Sequence, residues 1–118
     1  MEDMQKTLEG LVLELRRGTL ILSVLSQLFE KEYGYSLISK LQSKGFDIEA
    51  GTLYPLLRRL EKQSILQSDW DLIENRPRRY YQLSEQGQRL YQQLKEEYMA
   101  LSATMRGLLE SEDQTWKK

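Results

Sequence analysis

The 118-residue chain contains no cysteine and no histidine. Without cysteine there can be no disulfide, no thiolate metal site and no thiol nucleophile. Without histidine the chain lacks the commonest general base and the commonest metal ligand. An Asp/Glu metal site is the remaining option, but no carboxylates cluster at ligand spacing. Glu30 and Glu32, like Glu96 and Glu97, read as solvated helix charges. No metal or other cofactor is expected, and an enzyme is disfavoured. There is no apolar run near the roughly 20 residues that cross a bilayer. The opening Met1-Glu2-Asp3-Met4-Gln5-Lys6 is charged and has no apolar signal core. A cytoplasmic protein with no membrane partner is expected. An excess of one charge is also missing: 17 Lys and Arg against 18 Asp and Glu leave a net charge of −1. Any contact with a polyanion must come from a local patch rather than a global field.

One stretch of the sequence stands out. Residues 51–60 carry Leu53, Leu56, Leu57 and Leu60 at i, i+3, i+4 and i+7, an apolar helix stripe facing a core. The other side holds Gly51, Thr52, Pro55, Arg58, Arg59 and Lys62, small groups first and cations later, with the Tyr54 hydroxyl near the edge. A short helix of this kind fits a DNA major groove, although an amphipathic helix with solvated arginines would look the same. Asp47 or Glu49 is a candidate cap. Pro55 forfeits a backbone bond, so the helix either starts near Gly51 or tolerates a kink.

The flanking pattern gives this helix a context. Residues 2–16 predict a helix with Leu8, Leu11, Val12 and Leu15 on one face, either an arm clasping a second subunit or a first core helix. Gly18 interrupts it. A largely apolar helix is predicted over 19–29, and another after Tyr33-Gly34-Tyr35, with Leu37, Ile38 and Leu41 inward and Gly45 as its C′ residue. This helix and the 51–60 helix, joined by a tight glycine-containing connection, match a helix-turn-helix. Two strands follow, around 65–73 and 78–83, with a turn at Glu74-Asn75-Arg76-Pro77, Tyr81 and Leu83 on one face, and Tyr80 and Gln82 on the other. Helix-turn-helix and then a hairpin with Arg76, Arg78 and Arg79 near its tip describe a winged helix. Ser84 is a good N-cap for a last helix bearing Leu90, Leu94, Tyr98, Leu101, Met105 and Leu108. That helix runs to about Glu110, roughly 40 Å at 1.5 Å per residue. It overhangs so small a domain and asks for a second copy of itself. Trp116, in the polar tail, has no evident partner.

The fold class is therefore mainly α with a small β-hairpin (α+β): a winged helix-turn-helix with its N-terminal helix over 1–83, and a C-terminal dimerisation helix and tail over 84–118. Tyr35 and Tyr54 are placed to flank one groove of double-stranded DNA. Gly51 and Thr52 leave room for base edges, Arg58 can reach a phosphate, and Arg76, Arg78 and Arg79 suit a wing meeting the minor groove or its backbone.

The segments Leu15-Arg16-Arg17-Gly18-Thr19-Leu20, Tyr33-Gly34-Tyr35, Gly51-Thr52-Leu53-Tyr54-Pro55-Leu56-Leu57-Arg58-Arg59-Leu60-Glu61 and Arg76-Pro77-Arg78-Arg79-Tyr80-Tyr81-Gln82-Leu83-Ser84-Glu85-Gln86-Gly87 resemble the PadR family of bacterial transcriptional regulators. The resemblance covers about residues 15–90. It implies a winged-helix homodimer that represses by binding a pseudo-palindromic operator, relieved in some members by a small hydrophobic or aromatic ligand. Its recognition positions fall on Gly51, Thr52, Tyr54, Pro55 and Arg58, its wing cations on Arg76, Arg78 and Arg79, and its early-helix aromatic on Tyr35. Some drug-binding members carry a Trp on the last helix where this chain has Tyr98, the one candidate ligand residue. The other reading from residues alone is a winged-helix adaptor that binds protein without DNA, which the near-neutral charge permits.

Overall fold

The computed structural model describes residues 2–113. Trp116 lies outside them. The elements in chain order are α1 (Glu2–Arg17), α2 (Leu20–Leu25), β1 (Glu32–Tyr33), α3 (Gly34–Ser43), α4 (Ala50–Lys62), β2 (Leu66–Ile73), β3 (Arg76–Leu83) and α5 (Glu85–Asp113). The predicted winged helix with a long last helix is present. The whole is elongated, 65 × 36 × 23 Å.

The core forms where the α4 stripe meets its neighbours. Leu53, Leu56, Leu57 and Leu60 are all buried, together with Leu37 and Leu41 of α3, Val24 and Leu25 of α2, Leu28, Ile48, Leu66, Tyr81 and Leu83. Each fully buried aliphatic side chain contributes about 1.5–3 kcal/mol of transfer free energy. The connection between α3 and α4 is fixed by Gly45, whose φ of +93° is open to glycine at little cost. The Phe46 N–H donates to the Leu41 carbonyl (2.9 Å) and the Gly45 N–H to that of Gln42 (3.0 Å), closing α3 in a Schellman motif.

Four local expectations need correction. The helix predicted over 19–29 is shorter, ending at Leu25. Beyond it the chain is drawn to the sheet instead, the Leu28 carbonyl accepting from Leu83 N–H (2.8 Å) and the Phe29 carbonyl from the Gln82 amide (3.0 Å). Tyr33, expected as a turn, is also the end of a strand: β1 pairs antiparallel with β3 in a sheet of order β1-β3-β2. The hairpin turn is tighter than predicted. Within the hairpin only Glu74 and Asn75 have positive φ, 52° and 63°, so they form the two-residue primed turn that matches strand twist. Arg76 and Pro77 belong to β3. Because β1 stops opposite Tyr80, β3 is an edge strand at Pro77, where a sheet tolerates proline. Finally, α4 starts at Ala50 after Glu49, whose side chain makes no capping bond. Pro55 is inside the helix and removes the N–H that would bond the Gly51 carbonyl. Both residues are exposed, so water can satisfy that carbonyl.

The start of α5 is anchored. The Gly87 N–H donates to Ser84 Oγ (2.9 Å), making Ser84 the N-cap, and the Ser84 N–H donates to the Ile65 carbonyl (3.0 Å). A Cβ on Gly87 would collide with that same carbonyl, so only glycine fits. The Phe29 and Tyr91 rings meet edge to face at 5.3 Å. From there to Glu110 no residue of α5 is buried. The same is true along α1, where Leu8, Leu11, Val12 and Leu15 are exposed by 39–75%. The reading of α1 as a first core helix is therefore wrong for the single chain.

Candidate nucleic-acid interface

With its leucines buried, α4 turns Gly51, Thr52, Pro55 and Arg58 to solvent. Gly51, Pro55 and Arg58 follow i, i+4, i+7 spacing, one exposed stripe along the helix. Tyr54 is half-buried rather than outward-pointing. Its ring and hydroxyl cover the Cα of Gly34, at the first turn of α3, so closely that a Cβ there would overlap the ring. Gly34 is buried, and this contact explains the Tyr33-Gly34-Tyr35 string. The Tyr33 N–H donates to Ser36 Oγ (3.1 Å), satisfying one free donor at the start of α3.

The wing approaches from the other side. The Arg78 guanidinium lies over the Tyr35 ring, 5.0 Å from its centroid, and Tyr35 stacks on Tyr33 at 6.1 Å. An arginine on an aromatic face retains its charge and is held in direction. Between α3, α4 and the wing is an open notch of about 340 Å³ lined by Tyr33, Tyr35, Tyr54, Arg76 and Arg78 among others. Sequence reasoning assigned Tyr35, Tyr54, Arg76 and Arg78 separately, and they surround this one notch. Hydroxyl and guanidinium donors on a concave surface can take phosphate oxygens.

Arg79 also lines the notch, but its guanidinium is tied to α4 and β2. Its Nη2 lies 2.9 Å from both oxygens of Glu61, near the end of α4, and its Nε and Nη2 donate to Ser68 Oγ at 3.1 and 2.9 Å. Ser68 Oγ in turn donates to Glu61 Oε2 at 2.5 Å. The guanidinium also lies over Trp70 and Tyr81, at 5.6 and 5.7 Å. Of the expected wing cations, Arg79 is the one already paired: strand alternation puts it on the face opposite Arg78, towards α4.

A second polar group was not anticipated. Asp71 of β2 accepts from the Tyr33 hydroxyl (2.6 Å) and Lys31 Nζ (2.9 Å). The Tyr33 hydrogen bond, then that of Lys31, holds the Asp71 carboxyl below its ordinary value. The bond to Asp71 is likewise the chief reason the Lys31 ammonium and the Tyr33 phenol are raised. Lys31 also lies over the Tyr80 ring at 4.5 Å. These bonds tie the wing to the approach of α3. No local signal could have found them, because Asp71 is 40 residues from Lys31. Once the two-residue turn is known, register places Asp71 opposite Arg78 and Trp70 opposite Arg79.

The remaining candidates lie apart from this notch. Leu90, Leu94, Tyr98, Leu101, Met105 and Leu108 are 38–60% exposed along α5. Tyr98 lines a groove of about 440 Å³ between α2 and α5, with Tyr91, Lys95 and Met99. Arg16, at the end of α1, lies over the Phe46 ring at 5.1 Å and 3.4 Å from the Asp47 carbonyl, joining the arm to the α3–α4 turn. Among the described residues, no group of acidic side chains could hold a metal ion. No described helix is long and apolar enough to cross a membrane.

A helix-turn-helix followed by a basic hairpin makes this a winged-helix protein. The profile of the Transcriptional regulator PadR-like family matches residues 21–93. The chain is 31% identical over 103 residues to "Transcriptional regulator Rv3488" of Mycobacterium tuberculosis, covering 86% of this chain and 94% of that protein. Among solved structures, a PadR family transcriptional regulator from Eggerthella lenta aligns with a TM-score of 0.88 and 44% identity, over 93% of this chain and 98% of its own. A PadR-like regulator from Bacillus cereus aligns with a TM-score of 0.73 and 28% identity, over 81% and 96%. The chain belongs to the PadR-like family of transcriptional regulators.

Proposed function

We propose that this regulator acts as a homodimeric repressor that reads a pseudo-palindromic operator in double-stranded DNA. The observation that carries the reading is the convergence of Tyr35, Tyr54, Arg76 and Arg78 on one notch beside the exposed stripe of α4. In this reading α4 enters the major groove, with Gly51, Thr52 and Pro55 near base edges. Arg58 and the residues around the notch hold phosphates, and the tip of the wing follows the backbone into the minor groove. Because the chain carries no net positive charge, this patch supplies the attraction.

The exposed stripes of α1 and α5 support a second copy. Leu8, Leu11, Val12 and Leu15 of one chain and Leu90, Leu94, Tyr98, Leu101, Met105 and Leu108 of the other would cover each other. Residues 1–83 then read DNA, and 84–118 set the separation of the two reading heads, which must be about 34–36 Å or a multiple. We assign an aromatic effector to the groove at Tyr98. It releases DNA to the extent that it binds the two separations with different affinity. The protein works in the cytoplasm, where its operator is.

The test is selection of duplexes from a random pool by the purified chain, followed by anisotropy measured against salt. A selected palindrome whose affinity falls about a thousandfold between roughly 50 and 200 mM salt supports the proposal. Failure to enrich any duplex contradicts it and leaves the protein-adaptor reading.

A further inference from the structure

The three wing arginines differ in what holds them. Arg76 is exposed near the tip, and Arg78 lies over the Tyr35 ring on the notch side. Arg79 is the only one in an ion pair among the described residues. Both of its partners lie away from the notch: Glu61 in the last turn of α4, and Ser68 on the neighbouring strand. The three groups close a triangle, since Ser68 also donates to Glu61. This triangle spans the only covalent connection between α4 and the wing, the short segment Gln63–Ile65, in which Ser64 adopts a positive φ of 65°. Past the end of β1 the wing is a two-stranded ribbon, held on its α3 side by the Tyr33 and Lys31 bonds to Asp71 and on its α4 side by this triangle.

We infer that Arg79 is a positioning residue: its fork on Glu61 and Ser68 sets the angle of the wing against the recognition helix, and it makes no phosphate contact itself. The inference rests on the DNA-binding reading for its consequence, and on the geometry alone for the clasp. Arg fits this role because Nη2 reaches the Glu61 carboxylate while Nε and Nη2 together hold the serine; a lysine ammonium has no second nitrogen to bridge the two partners. The rings of Trp70 and Tyr81 on either side keep the guanidinium in line. Arg78 supplies charge to the duplex, and Arg79 aims it.

The clasp makes a prediction opposite in sign to simple electrostatics. Glu61→Gln removes a negative charge close to a polyanion and on charge alone should strengthen binding. If the clasp sets the wing, Glu61→Gln instead weakens binding to the selected duplex about tenfold, with no such loss on a random duplex. Arg79→Gln weakens binding to the selected duplex but leaves the slope of log affinity against log salt unchanged. Arg78→Gln flattens that slope by about 0.9, the signature of one lost phosphate contact. Arg79→Lys, which keeps the charge, behaves like Arg79→Gln.

Amide exchange of β2 and β3 in the free protein tests the clasp without DNA: Glu61→Gln should speed it by about tenfold or more, the loss of one charged hydrogen bond. A flattened slope in Arg79→Gln, or wild-type affinity in Arg79→Lys, would overturn the assignment in favour of a direct contact. Unchanged exchange in Glu61→Gln would overturn the clasp itself. If exchange rises but the wild-type chain enriches no duplex, the clasp stands and the DNA reading fails.

Discussion

The winged-helix body and the two end helices solve the same problem in opposite ways. In the body, Leu53 and Leu57 of α4 are fully buried, covered by residues of the same chain. In α1 and the distal part of α5, Leu15 and Leu108 are 75% and 60% exposed, although their spacing is just as regular. Similar apolar spacing therefore has unequal outcomes. A helix stripe states that something must cover it, and only the tertiary structure states whether that cover lies in the same chain. The body is complete as a single chain. The ends are left uncovered by it, and in the proposed dimer they would form the interface. Arg16, held at Phe46 and Asp47, is where the two meet, next to the turn that sets α4.

The largest effects should come from the body. Leu57→Ala is expected to cost about 2–5 kcal/mol, from lost transfer energy and the cavity left behind. Chemical denaturation should register the loss at low and high protein concentration alike. Gly87→Ala should cost somewhat less, about 1–3 kcal/mol, because the added methyl meets the Ile65 backbone carbonyl rather than a side chain that can move. The damage would fall where α5 leaves the body.

Changes at the ends should have a different signature. Leu101→Glu combined with Leu108→Glu puts charge into the proposed interface. Sedimentation should record dissociation constants raised at least a hundredfold, about 2.7 kcal/mol, with the helical signal retained. If this double variant unfolds the body, the division between body and ends is wrong.

Smaller effects sharpen the picture within the reading face. Gly34→Ala pushes the Tyr54 ring aside, and that ring can swing outward. Affinity for the selected duplex should drop by about tenfold, while stability changes by less than about 1 kcal/mol. The smallest effect concerns Asp71. Its folded pKa lies below the unfolded value, so its contribution is present above the ordinary carboxylate range and is lost as pH falls through the lowered value. Asp71→Asn should remove that share of the acid sensitivity, read as a flatter dependence of melting temperature on pH.

Much of this fold was legible in the sequence because its signals are local. The α4 stripe, the Gly45 C′ position, the Ser84 N-cap and the alternation of Tyr80 and Tyr81 each depend on spacings of a few residues. What was not legible depends on partners far along the chain. The strand at Glu32–Tyr33 exists because β3 is beside it, and α2 stops early because Leu28 and Phe29 bond to β3. Tyr54 looked free because nothing near it in sequence reveals that Gly34 leaves room for its ring. Arg78 and Arg79 look equivalent side by side, and only strand alternation lays one over the Tyr35 ring and ties the other to Glu61.

Hydroxyl-radical footprinting of the wild-type chain on its selected duplex tests the central claim most directly. If self-sufficient reading heads are spaced by ends that need a second copy, two equivalent protected patches should appear on one side of the duplex. Their centres should lie about 10–10.5 base pairs apart, or a whole multiple of that. The Leu101→Glu, Leu108→Glu variant should lose both patches at concentrations where the wild type is saturated. A single protected half-site, or two patches that persist in that variant, would contradict the account.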